Sequence, residues 1–273
     1  MTKKISTVKR KGARSIKEIP ADVLEALNTG VLPSVNLVEW LAVDQRLLLQ
    51  NVLQAQQRQQ YLKPVLQRIE NLKKQTVNTI NETIGATLLE LTRLNNDKDL
   101  QGIMVTHTSD VVRCWACYMV ARTERYTLPQ SLKKIQPFAA DGHFGVREIA
   151  WLALRPRIAA ALEESINLLA KWAANKDENI RRFASEVTRP RGVWCDHIES
   201  LKQQPEQALP ILETLKADPA KYVQDSVGNW LNDASKSQPL FVKKLCAIWQ
   251  KKSNVPATHY IVKKALRTLE KKS

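Results

Sequence analysis

Asp177-Glu178-Asn179-Ile180-Arg181-Arg182-Phe183-Ala184 decides the fold, because it recurs along the chain. Upstream copies are Gly142-His143-Phe144-Gly145-Val146-Arg147-Glu148-Ile149-Ala150-Trp151 and Ser109-Asp110-Val111-Val112-Arg113-Cys114-Trp115-Ala116. Downstream are Ala220-Lys221-Tyr222-Val223-Gln224-Asp225-Ser226-Val227 and a weaker Thr258-His259-Tyr260-Ile261-Val262-Lys263-Lys264-Ala265. The shared core is polar, polar, any residue, Val or Ile, then Arg, Gln or Lys, with Ala or Val three positions on. The anchors Val112, Val146, Ile180, Val223 and Val262 are 34, 34, 43 and 39 residues apart. That period suits paired-helix HEAT-type units. The polar start predicts a cap on the second helix of each pair. The anchor and the small residue after it predict that helix's buried stripe. Stacked pairs predict an all-α fold, an α-solenoid of HEAT-like repeats whose second helices line a concave wall. Arg113, Arg147, Arg181 with Arg182, and Lys263 with Lys264 would then form a basic ladder on that wall, suited to phosphates. In the competing reading, these arginines pair with cap acids of neighbouring repeats.

Composition agrees with a helical chain. Only 8 of 273 residues are Gly, few for a protein built on hairpin turns. A hydrophobic fraction of 44% and a mean hydropathy of −0.33 fit a globular domain. No apolar run approaches the roughly 20 residues of a bilayer span. The basic N-terminus leads into no apolar signal stretch, so a cytoplasmic protein without membrane partners is expected, nucleoid-associated when on DNA.

The formal net charge is +15, from 42 Lys and Arg against 27 Asp and Glu. It sits at the two ends. Residues 1–17 carry seven basic side chains and no acid, and residues 240–273 carry nine against Glu270 alone. Concentrated positive charge points to a polyanion, with nucleic acid first because bound phosphates release counterions. The competing reading is a disordered tail over residues 1–17 and a solvated face on the last helix. Three regions are expected: the basic tail 1–17, an N-terminal helical region 18–95 and the repeat region 96–273. Within the second, residues 36–72 read as a long helical stretch interrupted only at Pro64, followed by helix over 74–95.

Cys114 and Cys117 form a C-x-x-C pair, and Cys195 with His197 could complete a zinc set. The first pair lies inside an apolar helical pattern, where a spacing of three puts both thiols on one buried face. Core cysteines and no metal are therefore expected. Trp115, Trp151, Trp172 and Trp230 fall at helical spacing within apolar faces and read as packing. Walker A, dinucleotide-binding glycine, HExxH and GxSxG patterns do not occur, and no cofactor is implied.

Three ordered motifs carry a resemblance. The first is Arg181-Arg182-Phe183-Ala184-Ser185-Glu186 running into Arg189-Pro190-Arg191-Gly192-Val193-Trp194. The second is Leu215-Lys216-x-Asp218 with Tyr222-Val223, then Ser226-Val227-x-Asn229-x-Leu231-Asn232-Asp233 and Lys236-x-x-Pro239. The third is Ile261-Val262-Lys263-Lys264-Ala265-Leu266-Arg267-Thr268-Leu269. Over roughly residues 105–270 the chain resembles the DNA alkylation repair family of HEAT-like glycosylases, the AlkC/AlkD-like proteins. The AlkC branch is the closer, here without that branch's added C-terminal domain. The resemblance implies a monomeric, cofactor-independent glycosylase. It would cradle double-stranded DNA and excise cationic N3- or N7-alkylated purines, such as 3-methyladenine, without base flipping.

Such purines are already good leaving groups, so the enzyme must stabilise the oxocarbenium-like sugar, which a nearby carboxylate does. By motif Asp233 is the leading carboxylate and Glu148 the second; helix capping and ion pairing are their alternatives. Glu186 is a further acid with a more structural look. His143 stands where the resemblance implies an acid. Trp194 is the aromatic expected to face the sugar or base pair. Arg189 and Arg191, flanking Pro190 on one exposed turn, are expected phosphate contacts, as are Arg113, Arg147, Arg181, Arg182, Lys263, Lys264 and Arg267. A non-catalytic DNA-binding solenoid and a protein-interaction scaffold are the competing functions.

Overall fold

The computed structural model describes residues 10–271. Helix accounts for 71% of the structure, in sixteen α-helices and without a strand among the described residues. The chain divides into two compact units: residues up to 123 with 142–149, and residues 124–141 with 150 onward.

In the first unit lie α1 (Ala21–Asn28), α2 (Leu37–Ala42), α3 (Gln45–Ala55), α4 (Leu62–Glu70), α5 (Val77–Leu94), α6 (Leu100–Val105) and α7 (Asp110–Ala121). The first turns of α9 (Phe144–Ala160) also belong to it. The expected boundary at residue 95 does not mark a division, because α7, which opens the repeats, packs on α5 and α6. The long stretch expected over 36–72 is broken twice before Pro64. Asp44 accepts the N–H groups of Arg46 and Leu47 to start α3, and Gln57 turns left-handed at φ 56°. Pro64 itself sits in the first turn of α4, where its missing N–H has no intrahelical partner to lose. Of the basic tail expected over 1–17, residues 1–9 lie outside the described residues. Residues 10–17 are tied down: Arg10 makes a two-pronged ion pair with buried Glu39, and Asn36 donates to the Ala13 carbonyl.

The second unit contains α8 (Leu128–Ala139), the rest of α9, α10 (Leu162–Ala173), α11 (Glu178–Val187), α12 (Glu199–Gln203), α13 (Leu209–Leu215), α14 (Lys221–Ser235), α15 (Pro239–Lys252) and α16 (Pro256–Glu270). Helices pair as α10 with α11, α13 with α14 and α15 with α16, while α11, α14 and α16 stack in a row. Phe183, Ala184, Val227, Trp230, Leu231, Ile261 and Ala265 are buried along that row. Asn232 locks α14 to α16 by donating to the Ala265 carbonyl at 3.1 Å and the Thr268 hydroxyl at 2.9 Å.

The repeat's basic position has a structural task that its sequence conceals. Arg113 donates to the carbonyls of His107 and Thr108. Arg181 donates to those of Asn175 and Lys176, and Gln224 to those of Asp218 and Pro219. Each reaches back six and five residues to carbonyls of the turn before its helix. The side-chain cap expected at each second helix is made at α11, where Asp177 accepts from Asn179 at 2.8 Å; α7, α14 and α16 have none.

Cys114, Cys117 and Cys246 are buried. Trp115 and Trp230 are fully buried and Trp151 nearly so; Trp172 is half-buried against Phe183, ring centres 5.1 Å apart. Among the described residues no helix is long and apolar enough to cross a membrane.

Candidate functional site

The acids and arginines of the first two motifs meet where α11 packs against α14. The last turn of α11 carries Glu186, the turn after it Arg189, and the last turn of α14 Asp233. Arg189 bridges the two acids. Its Nη1 donates to Glu186 Oε1 at 2.7 Å. Its Nε donates to Asp233 Oδ2 at 2.8 Å, and Nη2 lies 2.7 Å from the same oxygen. Glu186 Oε2 accepts the Ser226 hydroxyl at 2.7 Å, and Ser226 Oγ lies 2.8 Å from Ser185 Oγ. Both carboxylates are 4% exposed. Two carboxylates thus share one buried guanidinium.

Cations flank it. Arg182 lies over the Tyr222 ring at 4.2 Å, with Nη2 3.6 Å from Glu186 Oε2. Lys236, its side chain 43% exposed, reaches Asp233 Oδ1 at 3.3 Å. Burial raises the Glu186 pKa, but Arg182, Arg189 and the Ser226 hydroxyl outweigh it and hold the acid below its ordinary value. Burial likewise opposes charge on Arg189, and Glu186 and Asp233 more than restore it. Glu186 and Arg189 thus hold each other in their charged forms.

Several expected placements change. Arg189 and Pro190 are buried, not on an exposed turn, because the Arg189 guanidinium is drawn between two buried acids. Asp233 is not an open carboxylate on a wall; the Arg189 ion pair draws it inward. Arg181 forms a bidentate pair with Asp218, at 2.6 and 2.9 Å, so for this residue the repeat-to-repeat pairing is what the structure contains. Glu148 and Arg147 are half-buried on α9 in the first unit, as is Arg113 on α7. His143 bonds Ser34 Oγ through Nε2 at 3.0 Å, beside Asp110.

Arg191 donates to Ser237 Oγ at 2.8 Å, which brings its loop beside Lys236. Trp194, at the tip of that loop, is 84% exposed. On α16, Lys263 is exposed, Lys264 pairs with Asp225, and Arg267 bonds the Lys264 carbonyl and Asn229 Oδ1. Ser226, Tyr222 and Lys236 were quoted in the motifs without a role. Arg155, buried behind the same loop, has no role in the sequence reading, although an arginine directly after the apolar run 149–154 is itself a signal.

Together these features define an all-helical repeat protein with a buried, arginine-bridged pair of acids and a basic, aromatic rim. The family model described as "DNA alkylation repair enzyme" matches residues 154–268, which contain the whole cluster. Residues 154–268 are thus similar to that family. The chain is 38% identical over 149 residues to an uncharacterized protein, YhaZ, of Bacillus subtilis (strain 168), a stretch of 55% of this chain and 40% of that protein. Its fold is similar to that of Pseudomonas fluorescens alkylpurine DNA glycosylase AlkC bound to DNA containing an abasic site analog. The TM-score is 0.66 at 23% identity, over 95% of this chain and 66% of that one. AlkD2 from Streptococcus mutans matches with a TM-score of 0.57 at 20% identity, over 76% of this chain and 98% of that one. The chain thus spans less than half the length of YhaZ and about two thirds of the AlkC chain.

Proposed function

We propose that the chain is an alkylpurine DNA glycosylase acting on cationic N3- or N7-alkylated bases in double-stranded DNA. The observation that carries this reading is the Glu186–Arg189–Asp233 bridge, two buried acids on one guanidinium beside Lys236 and the loop of Arg191 and Trp194. Bond cleavage leaves positive charge on the sugar while the base departs neutral. A carboxylate preorganised in low dielectric stabilises that charge more strongly than it would in water. Lys236 controls access. A phosphate that draws its ammonium away from Asp233 Oδ1 uncovers that oxygen toward the sugar and a water. Lys263 and Arg191 supply phosphate contacts, while Arg113, Arg181 and Arg189 act within the fold. Glu148 has no part in this scheme.

The 4% exposure of Asp233 also favours a second reading, a DNA-binding protein that excises nothing. Release of 3-methyladenine and 7-methylguanine from methylated duplex DNA separates the two. The glycosylase reading requires release, and duplex binding without release leaves the second.

A further inference from the structure

Arg155 is 3% exposed, and every hydrogen bond it makes goes to a backbone carbonyl. Nη1 donates to Val187 O at 2.6 Å and Nη2 to Arg189 O at 2.7 Å. Nη2 and Nε donate to Asp196 O at 3.0 and 3.1 Å. These carbonyls stand on both strands of one loop. A second closure runs from the Ile198 N–H to the Pro190 carbonyl at 3.1 Å. The loop is also tight inside: a Cβ on Gly192 would meet Cys195 Sγ at 2.4 Å and Arg155 Cζ at 3.2 Å.

What this frame displays is Trp194, at φ 65° and 84% exposed. Left-handed backbone disfavours a bulky side chain, and water disfavours an open indole. Glycine or asparagine would close the same loop with neither penalty. A buried, fully bonded arginine over-determines the loop, so the strained conformation persists. An exposed indole face offers stacking to an unpaired base, which is tolerant of sequence. An intact duplex shows no free base face; a duplex with a missing base does.

We infer that Arg155 is a positioning residue, holding the 189–198 loop in one shape so that Trp194 stacks on a base face bared by a gap in duplex DNA. This rests on the reading of duplex DNA as the ligand, and needs no excision to be true. The probes are a duplex containing a tetrahydrofuran abasic analogue and the matched intact duplex. Affinity is read by fluorescence anisotropy and stacking by quenching of tryptophan emission. Wild type is expected to prefer the gapped duplex at least ten-fold, with quenching that Trp194→Phe lacks. Arg155→Gln is expected to lose both the preference and the quenching while intact-duplex affinity and circular dichroism stay as in wild type; Arg155→Lys recovers part. Should Arg155→Gln fail to fold, Gly192→Ala, which spreads the same loop, is expected to lose the preference. A folded variant that keeps preference and quenching, or unchanged quenching in Trp194→Phe, overturns the inference. Failure to bind either duplex sinks the DNA reading along with it, whereas binding without base release removes only the glycosylase reading.

Discussion

Replacing Arg189 by Met removes the cation from between two acids without opening a large void. Glu186 keeps the Ser226 hydroxyl and the more distant Arg182, and Asp233 keeps only Lys236 at 3.3 Å. Leaving buried charges uncompensated costs about 3–5 kcal/mol. At 2–4 °C per kcal/mol for a chain of this size, Tm falls by roughly 6–20 °C. The pH dependence carries the finer signature. In the wild type the Glu186 pKa is lowered, so its stabilisation is present above the ordinary carboxylate range and lost as pH falls through the depressed value. In Arg189→Met the burial of Glu186 is opposed by less positive charge, so its pKa rises and the variant loses ground relative to wild type as pH rises through the carboxylate range. Thermal unfolding followed by far-UV circular dichroism between pH 4 and 8 measures both. Adding Asp233→Asn to Arg189→Met recovers part of the loss, because one buried charge is gone. A variant within about 1 kcal/mol of wild type at pH 7, with an unchanged pH slope, would refute the bridging role.

Other expectations follow from the same geometry. Arg181→Ala breaks the Asp218 pair and two carbonyl bonds, so it lowers stability by about 2–4 kcal/mol while leaving the salt slope of DNA binding unchanged; a flatter slope would return Arg181 to the phosphate contacts. Lys263→Ala, on an exposed lysine without a side-chain partner among the described residues, weakens binding to all duplexes and reduces that slope by about 1, and stability is unaffected. Burial raises the Asp225 pKa, but Lys264, Tyr260 and Lys221 pull it down to about 2. Its stabilisation, about 1 kcal/mol after solvent screening, is therefore present above the ordinary carboxylate range and lost between there and about pH 2. Asp225→Asn flattens acid unfolding in that window, and an identical acid limb would count against the Lys221–Tyr260–Lys264 cluster.

The repeat was legible because it is written in residue types. Val112, Ile180, Val223 and Val262 each mark a buried anchor on a second helix. Asp233, Glu186 and the paired arginines could be named from their motifs. Which side each faced could not, since a basic residue beside a buried stripe serves a phosphate or a carbonyl equally well. Arg181 and Arg113 found carbonyls one turn back, because helices stacked this closely leave those groups needing donors. Arg189 looked exposed beside Pro190, yet two acids from different helices drew it inside; that pull acts across 44 residues of sequence and leaves no local mark. Glu148 stands beside Arg147 on α9, and that one-dimensional cue does not say what either side chain faces. The left-handed turn at Trp194 was unreadable for a similar reason. Its loop is bonded by Arg155 from α9, with α10 and α11 intervening in the chain, and the residue's own preference runs against it.

The claim at the centre is that the arginine-bridged acids promote loss of an alkylated base. Full-length protein incubated with N-methylated duplex DNA, with free bases separated by chromatography, measures it directly. Wild type should release 3-methyladenine, and Asp233→Asn should fall by about two orders of magnitude with duplex affinity intact. No release by folded, DNA-bound wild type, or equal release by Asp233→Asn, would contradict it.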